Sequence, residues 1–233
     1  MRILNFTGDC ADGTFSGAER TALTEIGNDL VLHEVLTSVS RTSLVYNVSD
    51  VFVTEEAYQK YADKLSVLPK NLLTVVSDTV YEKLSFEHAP QGIFCVAEYF
   101  SAHTSEGASF VILLDGVADP GNFGAILRSA EAFGVDTVYM GKNGADIYNP
   151  KTVRACMGSL FRTDVRRTEN ICDEIKCLQN AGFRIFATAL NRDSLDIRDV
   201  NFKGKIGFVI GNEGHGLSED VIRACSGAIY IPM

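Results

Sequence analysis

Ser109-Phe-Val-Ile-Leu-Leu-Asp-Gly-Val-Ala-Asp-Pro-Gly-Asn-Phe-Gly-Ala-Ile-Leu-Arg-Ser-Ala-Glu-Ala-Phe-Gly134 decides the fold class. Residues 109–114 form a continuous apolar run, the pattern of a strand buried on both faces. Residues 115–122, with two glycines, a proline, two aspartates and an asparagine, read as the loop that follows. Beyond it Phe123, Ile126, Leu127, Ala130 and Phe133 recur at helical spacing, and the helix is expected to end at Gly134. Arg128 lies off that stripe. A strand, a loop and an amphipathic helix in this order open an α/β domain.

The same alternation continues downstream. Strands are expected at 137–140, 184–189 and 206–210, and helices near 150–156, 170–180 and 218–225. In Phe208-Val-Ile-Gly-Asn-Glu-Gly-His-Gly-Leu-Ser-Glu-Asp220 a buried strand runs into a glycine-rich turn and then a capped helix. Three glycines among the six residues 211–216 let the backbone take positive φ and let a ligand approach main-chain amides. Ligands of open parallel sheets bind at the carboxyl ends of the strands. Three loops in those positions, 115–122, 187–191 and 211–216, therefore point to one site.

Upstream, the polar stretch 101–108 reads as a linker between a first domain, 1–100, and a second, 109–233. The first also alternates: helical spacing in Leu30–Leu36, a strand at 50–53 followed by helix to Leu65, a strand at 72–76, a short helix over 80–84 and a strand at 92–97. This implies a mainly parallel or mixed sheet. Residues 1–22 show little periodicity.

Composition is that of a soluble globular chain, with 233 residues, 46% hydrophobic and 22% charged. No apolar run approaches a membrane span, and the amino terminus lacks a secretory pattern, so a cytoplasmic protein is expected. The six cysteines form no C-x-x-C pair and read as reduced, buried thiols; no metal is expected. The net charge of −9 offers no global footprint for nucleic acid. Residues 1–98 carry 14 acidic and 7 basic side chains, against 16 and 14 in 99–233. Within 151–167, however, Lys151, Arg154, Arg162, Arg166 and Arg167 meet only Asp164. That cluster is either a solvated helix face or an RNA-binding surface.

Several chemistries are excluded. The first strand–helix junction of the second domain reads Pro120-Gly-Asn-Phe-Gly124 and lacks the G-x-G-x-x-G of a dinucleotide site. No glycine loop closes on G-K-[ST], and no G-x-S-x-G elbow is present. Taken singly, Glu213 reads equally as a brace of its own loop, Asn122 as a helix N-cap and Arg128 as a surface arginine.

The order and wording of the blocks, however, resemble a family. Asp119-Pro-Gly-Asn-Phe-Gly-Ala-Ile-Leu-Arg-Ser-Ala-Glu-Ala-Phe-Gly-Val-Asp136 resembles the first signature of SpoU/TrmH-type RNA ribose 2′-O-methyltransferases. Phe208–Leu217 resembles their second signature, Met157-Gly-Ser-Leu-Phe161 their middle, and Ile229-Tyr-Ile-Pro-Met233 the opening of the third. In 1–100, Val51-Phe-Val-Thr-Glu-Glu-Ala57 and Pro90-Gln-Gly92 look like the family's ribosomal-protein-like α/β substrate-binding domain. The resemblance implies S-adenosylmethionine as cofactor, RNA as partner with ribosomal RNA favoured over transfer RNA, a homodimer, and a trefoil-knotted (SPOUT) fold whose tail is missing here. It makes Arg128, Asn122 and Glu213 the catalytic group. It assigns cofactor contacts to Ala189, Leu190, Asn191, Gly211, Asn212, Glu213, Gly214, Leu217, Ile231 and Met233, with Leu190, Leu217 and Ile231 flanking the adenine. A second class stays open: an RNA-binding protein with this fold and no turnover, to which the missing tail would lead.

Overall fold

A computed structural model describes residues 2–3, 21–25, 48–66, 68–85, 91–98 and 107–232. The chain divides into two units, Met1–Ser101 and Ala102–Met233.

The first unit contains β1 (Arg2–Ile3), β2 (Thr21–Glu25), β3 (Val48–Thr54), α1 (Glu55–Lys60), α2 (Ala62–Leu65), β4 (Leu73–Val76), α3 (Asp78–Leu84) and β5 (Ile93–Glu98). Its sheet runs β1-β4-β3-β5-β2. β1 and β3 are parallel to β4, whereas β5 is antiparallel to both β3 and β2, so the sheet is mixed. The turn from β3 into α1 is made by Thr54, whose hydroxyl accepts from Ala57 N at 3.2 Å. Val51, Val53, Ile93, Phe94 and Cys95 are buried on the sheet. β2 falls where the sequence shows no clear periodicity, and the helix expected at Leu30–Leu36 lies outside the described residues.

The second unit contains β6 (Phe110–Asp115), α4 (Pro120–Ala132), β7 (Thr137–Gly141), α5 (Pro150–Ala155), β8 (Asp164–Thr168), α6 (Ile171–Asn180), β9 (Arg184–Thr188), β10 (Leu195–Asp196), β11 (Ile206–Gly211), α7 (Glu219–Ala224) and β12 (Gly227–Tyr230). Single 3₁₀ turns lie at Ser159–Phe161 and Ile197–Asp199. All seven strands are parallel, in the order β10-β12-β9-β11-β6-β7-β8. The sheet therefore has one carboxyl edge, to which β6, β9, β11 and β12 all deliver a loop. β8, rich in arginine and threonine, was not expected as a strand; it forms one margin of the sheet.

One face of the central strands is fully covered. Val111, Leu113, Ile185 and Val209 pack with Ile171, Ile175, Leu178 and Val221 of α6 and α7 in a continuous core. The other face is not, contrary to the expectation of burial on both sides. Phe110 and Ile112 of β6 and Ile210 of β11 line an open apolar groove of about 480 Å³ with Ala125, Ile126, Ser129 and Phe133. The helical stripe explains the asymmetry. Phe123, Leu127 and Ala130 are buried, whereas Ile126 and Phe133 sit about 60° and 80° to one side of Phe123 at 100° per residue. They face the groove, and Phe133, expected in the core, is 80% exposed.

Both ends of α4 follow from local chemistry. Asp119 is the N-cap and Pro120 opens the helix. At the other end Gly134, at φ +70°, donates to Glu131 O and Val135 donates to Ala130 O, the two bonds of a Schellman stop. Gly124 brings α4 against α5: a Cβ there would lie 2.6 Å from Ala155 Cβ and 2.8 Å from Cys156 N. Among the described residues no helix is long and apolar enough to cross a membrane. Burial pushes the Cys95 and Cys225 thiols up to about 12, so neither is a nucleophile near neutrality.

Candidate active site

The α4 end of the site is built on Asp119. Its Oδ1 accepts from Asn122 N at 2.8 Å and its Oδ2 accepts from Lys151 Nζ at 3.1 Å. These donors, the Asn122 amide first and Lys151 next, hold its carboxyl below the usual range. Asn122 is thus not the N-cap, the bland role open to it in sequence. It stands in the first turn with its side chain free to reach outward, because the shorter-range capping task is taken by Asp119. Its Nδ2 donates to Glu213 Oε1 at 2.9 Å, joining positions 91 residues apart. That contact keeps Glu213 below the ordinary glutamate range, with the backbone amides of Glu213 and Ala118 adding smaller effects. Glu213 is therefore a carboxylate at neutral pH, poorly suited to donate a proton.

The glycine turn is organised from within. Asn212 N donates to Gly216 O at 3.2 Å and Gly216 N to Asn212 O at 2.9 Å. The Asn212 side chain accepts from Gly214 N at 2.8 Å and His215 N at 3.1 Å, and donates through Nδ2 to Gly116 O at 2.8 Å. The amides of Asn212, Gly214, His215 and Gly216 are accordingly satisfied inside the turn. The carbonyls of Glu213, Gly214 and His215 receive no hydrogen bond from the described residues, so the turn offers acceptors. Its glycines serve closure: a Cβ on Gly211 would lie 2.5 Å from the Gly216 carbonyl carbon.

The β9 and β12 ends meet beside this turn. Ala189 N donates to Ile229 O at 3.0 Å, and the Ala189 carbonyl accepts from Ser194 Oγ at 2.7 Å. Asn191 Oδ1 accepts from Asp193 N at 3.0 Å and Ser194 Oγ at 2.8 Å, bracing its own loop. Leu190 and Ile231 project from these adjoining ends, 87% and 64% exposed. Leu217 is partly buried and packs against the α6–α7 core. Met233 lies outside the described residues.

Arg128 is exposed on α4 and makes no ion pair or hydrogen bond with a described residue. The other cations differ. Lys151 pairs with Asp119, Arg162 with Glu131, Arg166 with Asp164 at 2.6 Å, and Arg167 with Asp146 at 3.6 Å. Arg154 is exposed on α5. The local basic excess seen in sequence is thus largely met by Asp119, Glu131 and Asp146, which lie outside the 151–167 window. Sequence reading missed Asp119 and Gly116 as parts of the site. Asp-Pro directly after a buried strand was the available signal for the former.

Comparison with known proteins shows the family of the chain. The sequence model of the SpoU rRNA Methylase family matches residues 109–233, and the chain belongs to that family. A Staphylococcus epidermidis protein assigned to the TrmH family of tRNA/rRNA methyltransferases is 32% identical over 170 residues, 72% of this chain and 68% of that protein. The 23S rRNA (guanosine(2553)-2′-O)-methyltransferase RlmP of Bacillus subtilis is 29% identical over 159 residues, 68% of this chain and 63% of RlmP. Among solved structures, the AdoMet-bound rRNA methyltransferase from Sinorhizobium meliloti superposes with a TM-score of 0.73 at 28% identity, over 92% of this chain and 79% of that one. The SpoU methyltransferase AviRb from Streptomyces viridochromogenes, in complex with AdoMet, gives 0.74 at 25% identity, over 91% and 81%.

Proposed function

We propose that this chain transfers a methyl group from S-adenosylmethionine to a ribose 2′-hydroxyl of RNA, ribosomal RNA above transfer RNA, as a cytoplasmic homodimer. The observation that carries the reading is the Asn122–Glu213 hydrogen bond. It ties two signature segments together at the carboxyl edge of the parallel sheet, on the helix that also presents the exposed Arg128, which has no partner among the described residues.

The residues beside that bond suit the cofactor. Leu190 and Ile231 supply exposed apolar surface for a purine ring, and the three open carbonyls of 213–215 suit an exocyclic amine. Bound there, the cofactor supplies an electrophilic methyl group on sulfonium. The acceptor hydroxyl is a weak nucleophile; as its oxygen bonds the methyl carbon the sulfur–methyl bond breaks, leaving S-adenosylhomocysteine, and the hydroxyl proton passes to solvent water. Arg128 remains protonated in proteins, so its role is to hold the neighbouring phosphate and stabilise developing alkoxide charge, not to take the proton. Asn122 and the anionic Glu213 brace the first turn of α4, the helix that carries Arg128, against the glycine turn.

Tritiated S-adenosylmethionine with unmodified ribosomal and transfer RNA, followed by digestion to nucleosides, tests the reading. Label is expected in 2′-O-methylnucleosides from ribosomal RNA; label in base-methylated nucleosides would sink it. Cofactor and RNA binding without any transfer would favour the alternative, an RNA-binding protein on this fold. Arg128→Ala is expected to abolish transfer while calorimetric cofactor affinity changes little, and an active Arg128→Ala variant would remove the assigned role.

A further inference from the structure

We infer that Asn212 is the positioning residue of this site: it touches neither substrate nor cofactor through its side chain, but holds Glu213 where Asn122 can reach it. The inference rests on the reading of Asn122 and Glu213 as organisers, and it concerns the amide side chain alone.

The Asn212 side chain uses both ends of its amide. Oδ1 accepts from Gly214 N and His215 N, and Nδ2 donates to Gly116 O in the loop between β6 and α4. It is therefore tied forward to the turn that carries Glu213 and backward to the loop that leads to Asp119 and Asn122. Gly116 stands at φ +75°, and a Cβ placed on it would lie 3.6 Å from Asn212 Cβ, so the two segments pass in close contact at this point. The Asn122–Glu213 bond is a second bridge between the same two segments. It differs from the first in being exposed at both ends and in joining a flexible glutamate. A turn with glycine at 211, 214 and 216 has little backbone preference of its own. The carboxylate position therefore depends on the half-buried amide beside it.

Asn is suited to this task because it presents a donor and an acceptor at one short distance from the backbone. Aspartate would keep the two accepted bonds and lose the donated one, setting a carboxylate oxygen against the Gly116 carbonyl. Alanine would lose all three and leave the Gly116 carbonyl and two amides to water.

The test follows the Asn122 side-chain amide by ¹⁵N NMR on the full chain, a probe independent of catalysis. Its Nδ2 resonance in the wild type carries the shift of a carboxylate-bonded amide, and Glu213→Ala defines the unbonded position. Asn212→Ala and Asn212→Asp are both expected to move the resonance most of the way to that position and to lose hydrogen-exchange protection at Gly116-facing and turn amides to different degrees: Gly214 and His215 exposed in Asn212→Ala, retained in Asn212→Asp. In the double variant Asn212→Ala/Glu213→Ala, no further movement is expected. An Asn122 resonance that stays at its wild-type position in the folded Asn212→Asp variant overturns the inference. Failure of the wild type to bind S-adenosylmethionine would overturn the proposed function and leave this result standing.

Discussion

Asp119 accepts two hydrogen bonds at opposite oxygens, one that starts α4 and one that ties α5 to it. Because its folded pKa is lowered, the stabilisation it provides is fully present above the ordinary aspartate value of about 3.9 and is lost as pH falls through the lower folded value. Wild type is therefore expected to be more stable than Asp119→Ala at pH 6, with the gap closing below the usual aspartate pKa. Urea unfolding of both proteins from pH 6 down to pH 2 measures this; a gap that is constant over the range would contradict the depressed pKa. Glu213 has the same sign for the same kind of reason, a donor placed against its carboxylate. Both carboxylates were visible in the sequence as residues. Their partners were not, because Lys151 and Asn122 are 32 and 91 positions away from them.

At the scale of the element, α4 was almost entirely legible. Its apolar spacing and its glycine stop were read from local signals, whereas its start lies three residues before the Asn122 cap open in the sequence, at Asp119. What the helix packs on was not legible, and Gly124 marks that contact. Gly124→Ala is expected to cost about 2 kcal/mol, since the new methyl meets the α5 backbone and overpacking of this kind costs roughly 1–3 kcal/mol. Gly134→Ala meets nothing within 4 Å, so it should cost only the strain of a left-handed alanine, about 1 kcal/mol. Chemical denaturation of the two variants separates the effects, and equal losses would argue against the close α4–α5 approach. β8 was missed for a related reason. Its charges lack strand alternation, yet ladder bonding to the buried β7 makes it a margin strand, where charged side chains are tolerated.

At the scale of the whole molecule, charge is where sequence order and spatial order diverge most. Five cations within seventeen residues read as a basic patch, but the fold sets Lys151, Arg162, Arg166 and Arg167 against carboxylates. RNA phosphates would have to compete with those partners. Arg167, half exposed and loosely paired with Asp146, is the member best able to exchange. Arg167→Ala is expected to weaken RNA binding and to reduce the slope of log affinity against log salt by about 1. Arg166→Ala should instead lower the unfolding midpoint, because it leaves the mostly buried Asp164 carboxylate without its cation, with Thr137 Oγ1 still donating to Oδ2 and Oδ1 without a partner among the described residues. Filter binding over a salt series, with a thermal melt of each variant, checks both; an unchanged slope in Arg167→Ala would place RNA elsewhere.

The sequence by itself determined the α/β class, the places of β6, β7, β9 and β11 and of the helices α4 to α7, the glycine stop of α4 and the membership of its signature blocks in one family. These depend on periodicity, caps and turn residues, which act over a few positions. Only the tertiary structure decided that the amides of Asn212, Gly214, His215 and Gly216 are bonded within their own turn, that Asp119 and not Asn122 caps the helix, that Phe133 faces solvent, and that most of the basic cluster is paired. Each of these depends on a hydrogen bond, a charge or a packing surface contributed by a segment distant in the chain, and distance in sequence carries no information about where such a partner lies until the parallel sheet brings the loops to one edge.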